Sequence, residues 1–439
     1  MGKMHTALMS VVIVSLMNIA PLWAGETERN QARRIHDRLT GITATNATID
    51  AMEALLLADR TGKTAAEFAI DTARNPAAWA FYNITLKNFA APWTNEEQSV
   101  FTPLNDYSAT IVGSIRDRID FRRILYDDLL YVGTPGSLPP YSNSDNEHYR
   151  QLEALDPNPG AANSGNLADP TILRQTTQSA VTLLDSAATA GVMTSRAAAM
   201  AFFSDGTNRA MFRFTLMNHL CTDLEPLKDV SRTPDRVRRD VSRSPGGDSR
   251  IFQNGCVGCH AGMDGMAGAF AYYEWDYSND KSDGRLVYRN SNNSKFDAVT
   301  GVSLKHNINA NNFEFGYVTV DDSWVNYWRN GPNSILGNRP IHTDIGWRHP
   351  GNGQDGIFFL DAKRNTTGFG AKSLGIELAN SRAFAQCQVD KAFKAICLRD
   401  PNLFNADRVK RDQFVGNFSG DNYNMRGVFT DVAAYCKGD

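Results

Sequence analysis

Apolar residues recur at helical spacing along most of the chain. In residues 49–58 (IDAMEALLLA) they return every three to four positions, and residues 64–67 (TAAE) fit a capping box that opens another helix. We predict that residues 25–132 form a helical N-terminal domain. Further helices are predicted at 175–188, 195–203, 208–221, 374–388, 390–398 and 428–436.

Two stretches depart from the helical pattern. Residues 133–169 are rich in Pro, Gly, Asn and Ser, which predicts a linker. Residues 285–288 and 313–320 are strand-like and are bounded by clusters of Asn, Asp, Ser and Gly, so we predict an inserted β-rich segment around 272–330. The expected fold class is therefore mainly α, with a C-terminal domain over residues 170–439 that carries this insertion.

The composition places the chain among ordinary globular proteins. Of its 439 residues, 42% are hydrophobic and 21% are charged, which excludes collagen-like and wholly disordered classes. Lys and Arg number 45 against 48 Asp and Glu, a formal net charge of −3. Because this balance provides no large basic field, we expect no nucleic-acid partner.

The N-terminus has the layout of a secretory signal. Lys3 precedes a nearly continuous apolar run over residues 8–20, and Ala24 precedes polar residues. We expect residues 1–24 to be a signal peptide and the protein to be periplasmic or secreted. The alternative is an uncleaved N-terminal anchor, for which the apolar run is short. No later run approaches the length of a bilayer span, so no transmembrane segment is expected in the mature chain.

One motif carries recognisable chemistry. Residues 256–260 (CVGCH) place two thiols three positions apart, with a histidine directly after the second. Two thiols at this spacing can bond to the two vinyl groups of haem, and the adjoining histidine can bind the iron. We therefore expect Cys256 and Cys259 to hold one covalent haem c, with His260 as the proximal iron ligand.

Three other interpretations of the motif remain open. A thioredoxin-like redox pair would be expected beside a βαβ pattern, which does not surround Cys256. A zinc site would need a second set of paired ligands at suitable spacing. A disulfide between Cys256 and Cys259 would close a very small loop. Since haem c is attached after export, the predicted signal peptide favours haem over all three.

The sixth iron ligand is less well defined. Met425 sits in a loop before a C-terminal helix, as the ligand methionine does in small cytochromes c, and a core methionine is the alternative. His342 and His349 are the alternative ligands. A methionine ligand would raise the reduction potential relative to two imidazoles, and an open position would admit peroxide or oxygen.

Four further cysteines are available for disulfides: Cys221, Cys387, Cys397 and Cys436. An even number in an oxidising compartment predicts two bonds, with three pairings open. Cys387 and Cys397 would lie about 15 Å apart on one unbroken helix, too far to bridge. Either the helix breaks near residues 389–390 or each cysteine pairs elsewhere, for instance with Cys221 and Cys436.

Residues 256–270 (CVGCHAGMDGMAGAF) resemble a class of secreted bacterial monohaem proteins, in which a motif of the form C-x-x-C-H-x-x-[IM]-D-x-[LM]-[AG]-[GA] follows a long helical region. Residues 379–387 (ANSRAFAQC) resemble the C-terminal helical segment of that class. The resemblance implies covalent haem, export, a redox role and a cytochrome c-like fold for residues 170–439. This chain differs by its long insertion after Tyr272.

Two functions from different classes follow from these features. The first is electron transfer to or from an unidentified redox partner protein, with both axial positions of the iron filled. The second is a haem enzyme, a peroxidase or oxygenase, with an open or displaceable sixth position. The single haem motif argues against secreted dihaem peroxidases, while the long region before the motif exceeds what a simple carrier needs. We favour electron transfer.

Overall fold

The computed structural model describes residues 24–203, 208–226, 244–288, 322–326, 359–360 and 366–438. Within these ranges the chain is mainly helical, as predicted. The helices are α1 (Ala24–Thr40), α2 (Asn46–Ala58), α3 (Lys63–Ala69), α4 (Lys87–Ala90), α5 (Asp106–Arg116), α6 (Glu147–Ala154), α7 (Gln178–Val181), α8 (Arg196–Phe202), α9 (Asn208–Thr215), α10 (Ser249–Gly255), α11 (Val257–Ala267), α12 (Gly370–Ala379), α13 (Arg382–Cys397), α14 (Asn405–Gly420) and α15 (Met425–Tyr435).

The strands of the described ranges form three small antiparallel sheets. They are β1 (Leu130–Gly133), β2 (Leu173–Thr176), β3 (Tyr273–Asp276), β4 (Arg285–Tyr288), β5 (Ser323–Asn326), β6 (Phe359–Leu360) and β7 (Thr366–Phe369). β1 pairs with β2, β3 pairs with β4, and β7 lies between β5 and β6. The strand predicted at 285–288 is confirmed as β4, whereas the one predicted at 313–320 lies outside the described residues.

One hydrophobic core joins the N-terminal helices to the C-terminal ones. Ile35 of α1 and Val432 of α15 belong to the same buried cluster. Phe429 of α15 meets Phe81 edge to face, with ring centroids 5.3 Å apart. α15 also packs against α3, so the packing extends across the linker predicted at 133–169. The domain boundaries drawn from the sequence stay a prediction.

Side-chain caps set where several helices begin. Asn105 and Ser108 form a reciprocal capping box at the start of α5, a helix buried along its whole length. The capping box predicted at 64–67 is wrong, because α3 begins after Gly62 with no side-chain cap. The Thr64 hydroxyl donates instead to the Asp59 carboxylate at 3.0 Å.

The segment predicted as a linker, residues 133–169, contains a helix, α6. Its buried face is fixed by tertiary contacts: the Tyr149 hydroxyl donates to the carbonyl oxygen of Tyr131 at 2.7 Å. The backbone N–H of Gly133 donates to Nε2 of His148 at 2.9 Å. These contacts hold α6 against β1, and they stabilise a helix that the Pro- and Gly-rich surroundings did not predict.

Two other predicted helix boundaries are wrong. The helix expected at 175–188 is replaced by β2 and the short α7, because β2 pairs along β1, with Thr176 opposite Leu130. In the C-terminal region the break between helices falls before Arg382, where Ser381 caps α13 by accepting a backbone N–H. α13 then runs unbroken through residues 389–390.

Two disulfides join α13 to distant parts of the chain. Cys387 pairs with Cys221, with their Cα atoms 5.2 Å apart, and Cys397 pairs with Cys436, with their Cα atoms 5.5 Å apart. Because one continuous helix carries both Cys387 and Cys397, each bonds to a cysteine elsewhere. The predicted pair of disulfides is confirmed, and such bonds fit an oxidising compartment.

The length and polarity of the described helices decide whether any of them could span a bilayer. None of those in the described ranges is both long enough and apolar enough to cross a membrane. Residues 1–23, which contain most of the predicted signal peptide, lie outside the described residues.

Gly268 allows β5 to approach the end of α11, and we predict that this position tolerates no side chain. A Cβ on Gly268 would lie 2.4 Å from the carbonyl oxygen of Ser323, a backbone atom. We expect Gly268→Ala to lower the free energy of unfolding by about 1–3 kcal/mol, because relieving the overlap shifts backbone.

Gly416→Ala is the matched control in urea unfolding. This glycine lies inside α14, and a Cβ there meets nothing within 4 Å. We expect this substitution to raise the free energy of unfolding by up to about 1 kcal/mol, because Ala is the better helix former. Equal unfolding midpoints for the two variants would contradict the close approach of β5 to Gly268.

Candidate functional site

The Cys-x-x-Cys-His motif lies at the junction of α10 and α11. Asp248 caps the start of α10, and its carboxylate accepts the backbone N–H of Arg250 at 2.9 Å. Cys256 stands between the two helices, and its carbonyl oxygen accepts the N–H of His260 at 3.1 Å, which starts α11. Because residues three apart lie on one helix face, this junction places Cys259 one turn beyond Cys256 on the same side.

Cys256 and Cys259 are free, partly exposed thiols. The other four cysteines form the two disulfides, so this pair is chemically set apart. Burial raises the pKa of the Cys259 thiol, and the nearby carboxylates of Asp223 and Glu225 raise it further, so this thiol is protonated at neutral pH. A Cβ placed on Gly255 would meet open space, so nothing nearby crowds the backbone before the motif.

The His260 ring is oriented by a carboxylate one turn further along α11. Its Nδ1 lies 3.0 Å from each of the two carboxylate oxygens of Asp264. Both residues are buried, His260 being 8% and Asp264 1% exposed. Since an ionised carboxylate only accepts hydrogen bonds, the tautomer of the neutral ring that fits this contact carries its proton on Nδ1 and has a lone pair on Nε2 that can bind a metal.

Arg209 of α9 completes this hydrogen-bonded group from a neighbouring helix. Its Nε donates to Oδ1 of Asp264 at 2.7 Å, and the arginine is itself buried. Burial alone would raise the pKa of Asp264, but the hydrogen bonds from His260 and Arg209 outweigh burial and hold that pKa below its ordinary value. Asp264 is therefore an ionised carboxylate with donors on two sides.

The surroundings of α11 hold the motif in place. α11 packs mainly against α9 and β5, and the Phe252 ring of α10 lies against His260 with ring centroids 5.4 Å apart. On β5, Nε1 of Trp324 donates to Oγ of Ser373 at 2.7 Å and so ties the strand to α12. The motif is thus attached to a packed framework, with its thiols on the partly exposed side.

The three residues predicted as sixth iron ligands are placed as follows. Met425 is buried in the first turn of α15. α15 packs mainly against α13, α3 and α14, whereas α11 packs mainly against α9 and β5, so these main contacts do not bring Met425 and His260 together. His342 and His349 lie outside the described residues. The identity of the sixth ligand stays a prediction.

The donor set at the motif fits covalent haem. Two free thiols and one imidazole come from residues 256–260, and the Asp264 carboxylate lies behind the imidazole, against its Nδ1. This is the arrangement in which an outer carboxylate orients a ligating histidine. No group of three or more His, Cys, Asp or Glu side chains that could hold a metal ion occurs in the part of the chain that the structure describes.

Two functional residues were not assigned a role from the sequence. Asp264 follows His260 by four residues, and that spacing on a helix is a signal that could have identified the pair. Arg209 gives no such signal, because 55 residues separate it from Asp264. Only the packing of α9 on α11 brings it to the site.

The free thiol pair leads to a counting prediction. We expect the haem-free exported chain, denatured without reductant, to show two thiols that react with a thiol reagent, and six after reduction, because four of the six cysteines are disulfide-bonded. The variant with Cys256→Ala and Cys259→Ala should show none before reduction and four after it. Detection of four reactive thiols in the unreduced wild-type chain would contradict the pairing.

Comparison with known proteins adds no assignment to this site. No protein-family model, no curated protein and no solved structure matches the chain. The resemblance of residues 256–270 to secreted monohaem proteins therefore stays a prediction, and the function has to be argued from the geometry around His260.

Proposed function

We propose that this chain is an exported c-type cytochrome that transfers electrons to or from a partner protein. The observation that carries the proposal is the pair of free thiols at Cys256 and Cys259 beside a histidine whose Nδ1 is held by Asp264. In a chain whose other cysteines are oxidised to disulfides, two thiols kept free at this spacing call for a different use. Covalent attachment of haem is that use.

Each residue of the motif then has a defined task. Each of the two thiols would add across one vinyl C=C bond, forming a C–S bond while its hydrogen goes to the neighbouring carbon. His260 would present Nε2 to the iron, because Asp264 occupies its Nδ1. Bound haem would supply an iron that exchanges one electron at a time. The chain's own contribution is to hold the ligand, fix its tautomer and exclude water from the carboxylate behind it.

Export to the periplasm or beyond is part of the proposal. Its support is the predicted signal peptide at residues 1–24 together with the two disulfides on α13, which fit an oxidising compartment. Attachment through two thioether bonds suits such a location, since the haem cannot be lost by dissociation. The redox partner is a protein whose surface chemistry the described residues do not define.

A haem enzyme, a peroxidase or oxygenase, is the second candidate, and one observation favours it. A buried carboxylate on the far nitrogen of the proximal histidine makes Nε2 a stronger electron donor. A bound haem with an open sixth position would supply O–O bond cleavage, and a strongly donating His260 would favour that chemistry. The choice between carrier and enzyme therefore depends on whether that position is filled.

Our first prediction from the proposal concerns attachment. Cys256→Ala with Cys259→Ala should abolish haem that stays on the denatured polypeptide, as judged by haem staining after denaturing electrophoresis. The matched control is Cys221→Ser with Cys387→Ser, which removes a disulfide and leaves both motif thiols. We expect this control to keep its haem. Haem retained covalently by the first variant would refute the attachment through Cys256 and Cys259.

A second prediction concerns the sixth position. For a carrier, we expect the haem-loaded protein to be low-spin in both oxidation states and to bind no carbon monoxide when reduced. Met425→Leu keeps the side-chain volume in the core, so its cost in stability should stay below about 1.5 kcal/mol. Loss of the near-infrared sulfur-to-iron band in this variant would identify Met425 as the ligand. A high-spin or carbon monoxide-binding wild-type iron would instead favour the enzyme.

A further inference from the structure

The hydrogen-bonded group behind His260 contains two opposite charges that act on one imidazole. Asp264 accepts from Nδ1 of His260 with both carboxylate oxygens, each at 3.0 Å. Oδ1 also accepts from Nε of Arg209 at 2.7 Å. The negative charge thus lies directly against the ring, and the positive charge lies one hydrogen bond further away.

Burial makes these charges effective. Asp264 is 1% exposed and Arg209 is 7% exposed, so water screens neither of them well. Electrostatic interactions are stronger in such a low-dielectric setting than at the surface. A carboxylate on Nδ1 raises the basicity of Nε2, and a more basic ligand stabilises Fe(III) relative to Fe(II). Arg209 draws electron density from the same carboxylate and therefore works in the opposite direction.

We propose that Asp264 and Arg209 are positioning residues that set the reduction potential of a haem bound through His260, Asp264 lowering it and Arg209 limiting how far it falls. This inference rests on the proposed function, because it needs a haem at Cys256 and Cys259. It goes further by assigning roles to two residues outside Cys-x-x-Cys-His, whose effects on the reduction potential have opposite signs.

The test compares the reduction potentials of haem-loaded variants by spectroelectrochemical titration. Asp264→Asn keeps a hydrogen-bond acceptor for Nδ1 and loses the charge, so the potential should rise. Arg209→Gln removes the positive charge beside Asp264, so the potential should fall. Arg209→Lys restores the charge and should return the potential to near the wild-type value.

A matched control separates this effect from general destabilisation. Asp390 of α13 and Arg411 of α14 form a second buried ion pair, with Oδ1 and Nη1 2.7 Å apart. Asp390→Asn removes a comparable charge away from the motif and should leave the potential unchanged. Equal shifts for Asp390→Asn and Asp264→Asn would overturn the proposal, because the effect would then not depend on contact with His260.

Different results would contradict the proposed function and the roles of Asp264 and Arg209. If the wild-type chain carries no haem after denaturation, the proposed function fails. If haem is attached and Asp264→Asn and Arg209→Gln shift the potential in the same direction, or not at all, only this inference fails. If Asp264→Asn does not fold, the Arg209 variants still test the inference. The reduction potential of Arg209→Gln should lie below the potentials of Arg209→Lys and of the wild type. Thermal unfolding followed by circular dichroism reports the folding of each variant.

Discussion

Helix α13 carries both disulfides, and this double cross-link constrains the arrangement of the elements around it. Cys387 and Cys397 lie ten residues apart on this unbroken helix. Cys387 bonds to Cys221 and so holds the segment after α9. Cys397 bonds to Cys436 and so holds the chain end after α15. The end of α9 therefore cannot move independently of the C-terminal helices. Since α9 also carries Arg209, the constraint extends from the Cys221 disulfide to the carboxylate that holds His260.

The candidate site combines local helix geometry with one long-range contact. Helical spacing alone places Cys256, Cys259 and His260 close together and aligns Asp264 with the imidazole one turn later. Arg209 has to arrive from another helix, and its arrival depends on the packing of α9 on α11. The motif residues and Asp264 are thus brought together by about a dozen residues of local sequence. The positive charge of Arg209, which neutralises the charge of Asp264, is brought there by the tertiary fold.

The difference between local and long-range contacts explains which features could be predicted from the sequence. The mainly α class and strand β4 follow from periodicity and turn residues, and two disulfides follow from the four remaining cysteines of an exported chain, with their pairing left open. Helix α6 and strand β2 could not be predicted in this way. The hydrogen bond from Tyr149 to Tyr131 and the pairing of β1 with β2 determine these elements, against the preference of the local composition. Likewise, the motif predicted the thiols and His260, but no local pattern could have indicated Arg209.

Asp264 forms hydrogen bonds with two residues, Arg209 and His260, and these two contacts have opposing effects on its carboxylate. A buried carboxylate without a cationic partner is costly, by about 3–5 kcal/mol when one member of such a pair is removed, so Arg209 stabilises the ionised form. The hydrogen bond that Arg209 donates also withdraws electron density that Asp264 would otherwise share with His260. Oδ1 accepts hydrogen bonds from both Arg209 and His260, and Oδ2 accepts one from His260. Under the proposed function, this sharing of the carboxylate would give His260 an intermediate donor strength, which suits an iron that is stable in two oxidation states.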